Sequence, residues 1–203
     1  MTNTHPKQER TFVILKPDTV QRNLVGDIIQ RFEKVGLKMI ALKMIVPSPE
    51  MVEKHYTTDP EWMRKTGEKT IKGYLAKGLT PPYTDPIESS KHVLERLKKY
   101  MSSGPVIPII LEGAHSVALV RKLVGSTEPL MSDVGTIRGD FVLDSYAMSD
   151  ADGRCIRNLI HASGTTDEAE KEIALWFKSE EIIKYRHIQE AIIYDVNLDG
   201  ILE

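Results

Sequence analysis

The chain has 203 residues, of which 41% are hydrophobic, so it fits one soluble domain. Its 27 Lys and Arg nearly balance 29 Asp and Glu, and the net charge of -2 gives no electrostatic case for a nucleic-acid partner. A single cysteine (Cys155), a polar start and the lack of an apolar run of about 20 residues exclude a disulfide framework and predict a cytoplasmic protein with no membrane span.

The first quarter of the chain predicts alternating strands and helices. β-Branched and apolar residues run together in the predicted strands, and apolar residues recur at helical spacing in the predicted helices. Pro17 closes the first strand, Gly36 stops the first helix, and Ser48 is a plausible N-cap for the second. The predicted elements are a strand at 11–16, a helix at 25–35, a strand at 37–46 and a helix at 48–56.

The middle of the chain begins with a segment that is hard to assign to a helix or a strand. Residues 57–86 are rich in Lys, Gly, Thr and Pro, which predicts a long irregular insertion. A helical pattern resumes over 87–101, and a strand follows at 104–113, where Pro108 indicates an edge position or a bulge. A helix is predicted over 114–124.

The last third of the chain predicts one more strand and one more helix. Residues 125–141 are loop-like, and DADG at 150–153 predicts a turn between extended pieces. Residues 155–163 form the last predicted strand, and Thr165 with Glu168 has the spacing of a capping box that opens the helix TDEAEKEIALWF. These elements predict a mixed α+β sandwich whose strand order periodicity alone does not fix.

Common nucleotide-binding and metal-binding motifs are missing from the sequence. The nearest match to a phosphate-binding loop, at 73–80, has Leu79 where a lysine is needed. There is no G-x-G-x-x-G after the first strand and no H-E-x-x-H, and DADG lacks the later acidic residue of a calcium loop. Any anionic ligand must therefore be held by individually placed side chains.

Several basic and hydroxyl residues lie at the ends of predicted elements. Lys16 directly follows the first strand, Arg121 lies on a helix, and Thr127 follows in the next loop. Arg138 lies close to glycines on both sides in GTIRGDF, where the backbone can approach a ligand closely. Three cations near the imidazole of His161 suit a polyphosphate, although each alone is more typical of a surface charge or a structural histidine. The other five histidines are interpreted as structural.

Six sequence blocks in order resemble one known family. They are TFVILKPDTVQRNLVGDIIQRFEKVGLKM, HY, KKYMSSGPV, GTIRGDF, NLIHAS and AEKEIALWF, and together they closely resemble nucleoside diphosphate kinases. The resemblance implies a single domain over 1–203 with a ferredoxin-like fold, a four-stranded antiparallel βαββαβ sheet covered by helices. Two insertions interrupt it at about 57–92 and 144–155, the second expected as a small hairpin. Dimers that assemble into tetramers or hexamers are also implied.

The resemblance also implies a reaction. The family moves the terminal phosphoryl group of a nucleoside triphosphate, typically ATP, to a nucleoside diphosphate by a ping-pong mechanism through a phosphohistidine, which His161 matches. Mg²⁺ is expected on the nucleotide's phosphates, with no direct protein ligand. The matches around the nucleotide are Lys16, Tyr56, Arg121, Thr127, Arg138 and Asn158, and those of the shell that supports the histidine are Ser163 and Glu172. A broad nucleotide range is expected, since stacking and phosphate contacts do not read a base.

The chain departs from the family pattern at two places. Gly164 stands where the family has Asp, which is expected to shift capping of the last helix to Thr165. Val93 stands where the family has the aromatic ring that stacks on the base. The candidate replacement rings are Trp62, Tyr74, Tyr83 and His92. Three roles stay open for the inserted lysines, closure over the nucleotide, contact with a neighbouring subunit or simple solvation: Lys65, Lys69, Lys72 and Lys77.

Two other functions stay open at this point. One is a catalytically inactive relative that serves as a nucleotide-binding scaffold, which the intact His161, Lys16, Arg121, Arg138 and Asn158 argue against. The other is a phosphocarrier that receives its phosphoryl group from a protein, a role that does not need the nucleotide-site matches.

Overall fold

One antiparallel sheet of four strands organises the structure. A computed structural model describes residues 6–57, 59–194 and 196. The strands lie in the order β2-β3-β1-β4, so β1 and β3 are central. This is the ferredoxin-like arrangement that the resemblance implies, and that prediction is confirmed. The strands are β1 (Arg10–Leu15), β2 (Lys38–Leu42), β3 (Ile107–Glu112) and β4 (Ile160–Ala162).

Helices cover the sheet and connect its strands. None of them, over the part of the chain that the structure describes, is long and apolar enough to cross a membrane. They are α1 (Pro17–Gln21), α2 (Val25–Lys34), α3 (Pro49–Tyr56), α4 (Trp62–Ala76), α5 (Pro86–Met101), α6 (Ser116–Val124), α7 (Ile137–Phe141), α8 (Tyr146–Ala151), α9 (Thr166–Trp176) and α10 (Glu190–Ile193).

The central strand β1 is buried on both faces because helices cover both sides of the sheet. Side chains alternate along a strand, so Val13 and Leu15 pack with Phe32 of α2 on one face. Phe12 and Ile14 pack with residues of α3, α5 and α9 on the other. A fully buried strand is consistent with its run of apolar residues, TFVIL.

The predicted N-cap residues are confirmed, but the reciprocal bond of the predicted capping box comes from the residue before the N-cap. Ser48 accepts a hydrogen bond from the N–H of Met51 at 3.2 Å, and Thr165 accepts one from the N–H of Glu168 at 3.1 Å. The Glu168 carboxylate in turn accepts from the N–H of Gly164 at 2.7 Å, one residue before the N-cap. Thr165 therefore caps α9, as expected from the glycine at 164.

The prediction of an irregular segment over 57–86 is wrong, because 15 of those residues form α4. This helix packs along α5, and the contact is close at Gly67, where an added Cβ would lie 1.8 Å from the backbone oxygen of Pro86. The Thr and Gly residues lower the intrinsic helix preference of this segment, so tertiary packing on α5 contributes to the stability of the helix.

The second insertion is not a hairpin. Its centre is α8, which Ser145 caps by accepting from the N–H of Met148 at 3.2 Å, and the DADG sequence ends that helix instead of joining strands. The segment 125–141 is also more ordered than expected, since it holds a 3-10 turn at Pro129–Met131 followed by α7.

The last strand is shorter than the predicted 155–163. Leu159 has φ +64°, a left-handed conformation that a side chain such as Leu adopts at a cost, so regular pairing begins only at Ile160. Two hydrogen bonds hold the backbone of Leu159 in this conformation. Its N–H donates to the Asp18 carboxylate at 3.2 Å, and its carbonyl oxygen accepts from the N–H of Lys16 at 2.7 Å.

Pro108 does not mark an edge strand, so that part of the expectation is wrong. It lies in β3, between β1 and β2. The β2–β3 ladder stops at Leu42 opposite Ile109 and resumes only as an isolated bridge between Ile45 and Val106. The missing N–H of Pro108 therefore falls in a gap of the ladder, which lets a central strand tolerate a proline.

Gly67→Ala tests whether the insertion depends on the contact between α4 and α5. The added methyl group would clash with the backbone of Pro86, so we expect it to lower the free energy of unfolding by about 1–3 kcal/mol, measured by urea titration. Gly73→Ala in the same helix is the matched control, since its Cβ would meet nothing within 4 Å, and it should stabilise slightly. Equal effects of the two substitutions would contradict the packing described here.

Candidate active site

A cavity of about 680 Å³ opens beside the carboxyl end of β1 and the end of β4. Its walls come from the sheet, the loop after α6, and both insertions. The seven residues predicted at the nucleotide and the reaction centre all line it: Lys16, Tyr56, Arg121, Thr127, Arg138, Asn158 and His161. Ser163 and Glu172 are buried behind His161. The structure thus brings all nine predicted residues to one site.

His161 is held by a carboxylate on the helix that follows its strand. Its Nε2 lies 2.7 Å from Oε1 of Glu172, which is only 2% exposed. The other carboxylate oxygen of Glu172 accepts a hydrogen bond from the hydroxyl of Ser163. That hydroxyl also lies 3.1 Å from the backbone oxygen of Phe12. Burial raises the pKa of Glu172, and the hydrogen bond from Ser163 opposes that rise. The ionised carboxylate can only accept, so Nε2 then carries the proton and Nδ1 keeps a free lone pair.

Lys16 is buried and held by an amide instead of a carboxylate. Its Nζ donates to Oδ1 of Asn158 at 2.7 Å, and Nδ2 of Asn158 donates to the backbone oxygen of Thr127 at 2.8 Å. Burial lowers the pKa of Lys16 to about 8, and Arg138 adds to the shift. Because no carboxylate in the ranges 6–57 and 59–194 is paired with Lys16, its charge is available to an anionic ligand.

Arg138 is anchored by neutral groups alone. Its guanidinium donates to four backbone oxygens, those of Gly125 (3.1 Å), Ser126 (2.9 Å), Asn158 (3.1 Å) and Ile160 (2.5 Å). Burial, followed by the nearby charge of Arg121, lowers its pKa to about 10. Four carbonyls fix the orientation of the side chain and leave its positive charge uncompensated.

His161 is neutral at physiological pH. Burial is the largest cause, and the charges of Lys16, Arg138 and Arg121 contribute further, so that the pKa of His161 falls to about 3. Its unprotonated nitrogen is therefore nucleophilic at pH 7 without a separate base.

His55 contacts the reaction centre, although it was predicted to be structural. It is 3% exposed, and its ring stands edge-on to that of His161 with centroids 4.5 Å apart. Nε1 of Trp176 donates to Nδ1 of His55 at 3.2 Å, and burial lowers the pKa of His55 to about 3. The 3.5 Å approach to Glu172 is therefore not an ion pair at neutral pH. The one sequence signal was its place in the block HY.

Imidazole and carboxylate groups at the cavity wall and behind it are the potential metal ligands among the described residues. Ligand atoms of His55, His161 and Glu172 lie within 4.8 Å of one another, but imidazoles suit Zn²⁺ better than Mg²⁺. Three carboxylates line the cavity, and two of them, those of Glu128 and Glu168, accept hydrogen bonds from backbone N–H groups, at 2.9 and 2.7 Å. This arrangement fits an ion bound through the phosphates of a ligand.

The insertions provide the outer part of the cavity wall. Val93 lines it together with all four candidate rings, of which Tyr83 and His92 stack on each other with centroids 4.2 Å apart and planes at 13°. Among the inserted lysines, Lys69 and Lys77 line the cavity, whereas Lys65 pairs with Asp59 at 2.8 Å and Lys72 is exposed.

The sequence and the fold are both similar to those of known enzymes. The sequence profile described as nucleoside diphosphate kinase matches residues 9–64 and 84–182. A nucleoside diphosphate kinase of Pyrobaculum aerophilum is 47% identical over 180 residues, covering 87% of this chain and 98% of that protein. One of Borreliella burgdorferi is 38% identical over 186 residues, covering 92% and 97%.

Two solved structures share the fold. A crystal structure of an NDP kinase from Pyrobaculum aerophilum has a TM-score of 0.84 at 45% identity and covers 87% of this chain and 100% of its own. A transition-state mimic of the nucleoside-diphosphate kinase from Borrelia burgdorferi, with bound vanadate and ADP, has a TM-score of 0.76 at 37% identity and covers 93% and 98%.

The depressed histidine pKa values predict acid sensitivity of the fold. A histidine in the unfolded chain is protonated below about pH 6.5, whereas His161 in the folded protein is protonated only below about pH 3. The free energy of unfolding is therefore highest above about pH 6.5 and falls as the pH is lowered from about 6.5 to about 3. Between about pH 6.5 and 4.5, His161→Asn should make the slope of the unfolding free energy against pH shallower by up to about 1.4 kcal/mol per unit. Urea titrations measure this, with His187→Asn, distant from the cavity, as the control. An unchanged slope would refute a buried neutral His161.

Proposed function

Because this chain belongs to the nucleoside diphosphate kinase family, we propose that it transfers phosphoryl groups between nucleotides through a phosphohistidine at His161. The observation that supports this proposal is the orientation of one ring. Glu172 holds Nε2 at 2.7 Å, so Nδ1 remains for a nucleotide in a cavity lined by Lys16, Arg121 and Arg138.

In the first half-reaction, the Nδ1 lone pair of His161 attacks the terminal phosphorus of a nucleoside triphosphate such as ATP. The N–P bond forms as the bond from phosphorus to the bridging oxygen breaks, and that electron pair leaves with the diphosphate. The proton on Nε2 stays in place, and the Glu172 carboxylate stabilises the positive charge that the ring gains. A second diphosphate then takes the phosphoryl group by the reverse path, which makes the kinetics ping-pong.

The cations support transfer because phosphoryl chemistry depends mainly on positioning and charge neutralisation. Arg138 is rigid before any ligand binds, since four carbonyls hold it, and Lys16 is fixed by Asn158. Arg121 is exposed at the cavity and can follow the phosphates. We assign Thr127 and Tyr56, which line the same wall, to binding of the nucleotide.

Mg²⁺ is the proposed cofactor, carried by the phosphates of the nucleotide and not by protein ligands. When bound it would neutralise phosphate charge and orient the phosphate chain. The engagement of Glu128 and Glu168 with backbone N–H groups is the observation that favours this arrangement.

The remaining features of the proposal concern the whole chain. We propose a single domain over 1–203 with the two insertions, a homo-oligomer built from dimers and assembled to a tetramer or hexamer, and a cytoplasmic location. The profile match skips residues 65–83, which include most of α4, and this supports an insertion at that place.

Exposed apolar side chains support the proposed homo-oligomer. Four of them, each more than two-thirds exposed, lie in the segment between α6 and α8 and favour subunit contacts there: Leu130, Met131, Val134 and Leu143.

Labelling with γ-labelled ATP and Mg²⁺ tests the phosphohistidine. We expect an acid-labile, base-stable label that GDP removes, and no label on His161→Ala, whereas His187→Ala should label normally. A wild-type protein that takes no label would be a scaffold, and a label that GDP cannot remove would indicate a phosphocarrier. Full activity of His161→Ala would exclude the mechanism.

Glu172→Gln tests whether the carboxylate aims the ring. The glutamine amide has the size of the glutamate side chain but no charge, and its NH₂ group can donate to Nε2. The tautomer with the proton on Nε2 is then no longer enforced. We expect kcat to fall by roughly ten- to a hundredfold with little change in KM for ATP, measured by steady-state kinetics. A change confined to KM would assign Glu172 to nucleotide binding instead.

A further inference from the structure

Arg96 is a cavity residue that the proposed mechanism does not use. It lies on the face of α5 that also presents Ser89, His92 and Val93 to the cavity, at the spacing of successive helical turns. Its side chain is half-buried and makes no hydrogen bond or ion pair to any residue in the described ranges 6–57 and 59–194. The carboxylate of Asp150, which also lines the cavity, interacts with the hydroxyl of Tyr74 instead.

Arg96 lies between the insertion and the cations at the phosphate end. Lys16, Arg138 and Arg121 lower the pKa of His161, whereas Arg96 lowers the pKa of Tyr74 on α4. Both Lys16 and Arg96 lower the pKa of Cys155 against the larger rise that burial causes. The outer wall of the cavity, formed by the insertion, is therefore close to its guanidinium.

The position of Arg96 along α5 indicates which part of a nucleotide it meets. Four residues further on, about 6 Å along the helix axis, is Tyr100, whose ring lies 5.7 Å from Nζ of Lys16 at the phosphate end. Four residues back is His92, which is stacked on Tyr83. Arg96 thus lies between the phosphate-binding cations and a ring pair that lines the same cavity.

The Tyr83–His92 pair offers a flat surface on which a base can stack. The rings are nearly parallel, both line the cavity, and Tyr83 is 37% exposed, so aromatic surface is accessible to a ligand there. A nucleotide with its phosphates at Lys16 and its base toward this pair would bring the edge of the base to Arg96.

We propose that Arg96 is a specificity-determining residue that donates to O6 and N7 of a 6-oxopurine, so that guanine nucleotides are preferred over adenine nucleotides. A guanidinium fork matches two adjacent acceptors, whereas adenine presents an amino donor beside N7. This inference rests on the proposed function, because it requires a nucleotide in the cavity. It narrows the broad base range that stacking and phosphate contacts alone would give.

Discharge of the isolated phosphoenzyme by different acceptors tests the role of Arg96 without interference from the donor. Wild-type phosphoenzyme should react about tenfold faster with GDP and IDP than with ADP, and Arg96→Met should reduce the GDP and IDP rates to that of ADP. IDP has O6 and N7 without the 2-amino group, so it isolates the proposed contact. Arg96→Lys, which keeps the charge but loses the fork, should be intermediate, and Arg186→Met, on the exposed C-terminal segment, should match wild type.

Two outcomes would overturn the role of Arg96. An equal loss for all three acceptors would assign it to the phosphates or the sugar, and unchanged rates would give it no role. Failure of wild type to form any phosphoenzyme would instead refute the proposed function. In that case, equilibrium binding of GDP, IDP and ADP to the same unphosphorylated variants would still decide whether Arg96 discriminates between the bases.

Discussion

The hydrogen bond between Nε2 of His161 and Glu172 is the interaction on which the site depends. It joins the last strand to the helix that follows, and it decides which ring nitrogen can react. The bond requires α9 to begin at a fixed place, which the Thr165 cap ensures, and it requires β4 to begin after the left-handed turn at Leu159. Local backbone geometry and chemical reactivity are therefore determined together.

A second principle is that the cations of the site are held by neutral partners. Asn158 orients Lys16, and backbone carbonyls orient Arg138, so neither cation is paired with a carboxylate in the part of the chain that the structure describes. The chain as a whole carries a net charge of -2, yet the inner cavity is strongly positive. Burial is the main reason that His161 stays unprotonated, and the same positive field adds to it, because a charged imidazole would be repelled by Lys16 and Arg138.

Local patterns in the sequence predicted those parts of the fold that local physics determines. The apolar run of β1 and the caps Ser48 and Thr165 were recognisable because each acts within a few residues. The helix α4 was missed because Gly67, which looks like a helix breaker, is needed for contact with a segment some 20 residues away. The contact between His55 and His161 joins residues more than 100 positions apart, so no periodic pattern could reveal it.

The most direct measurement of the central claim is to identify the nitrogen of His161 that carries the phosphoryl group, by NMR of phosphoenzyme with isotopically labelled histidine. The account predicts phosphorus on Nδ1, with Nε2 still protonated and bonded to Glu172. Phosphorus on Nε2 would contradict it, since that nitrogen could then no longer donate to the buried carboxylate.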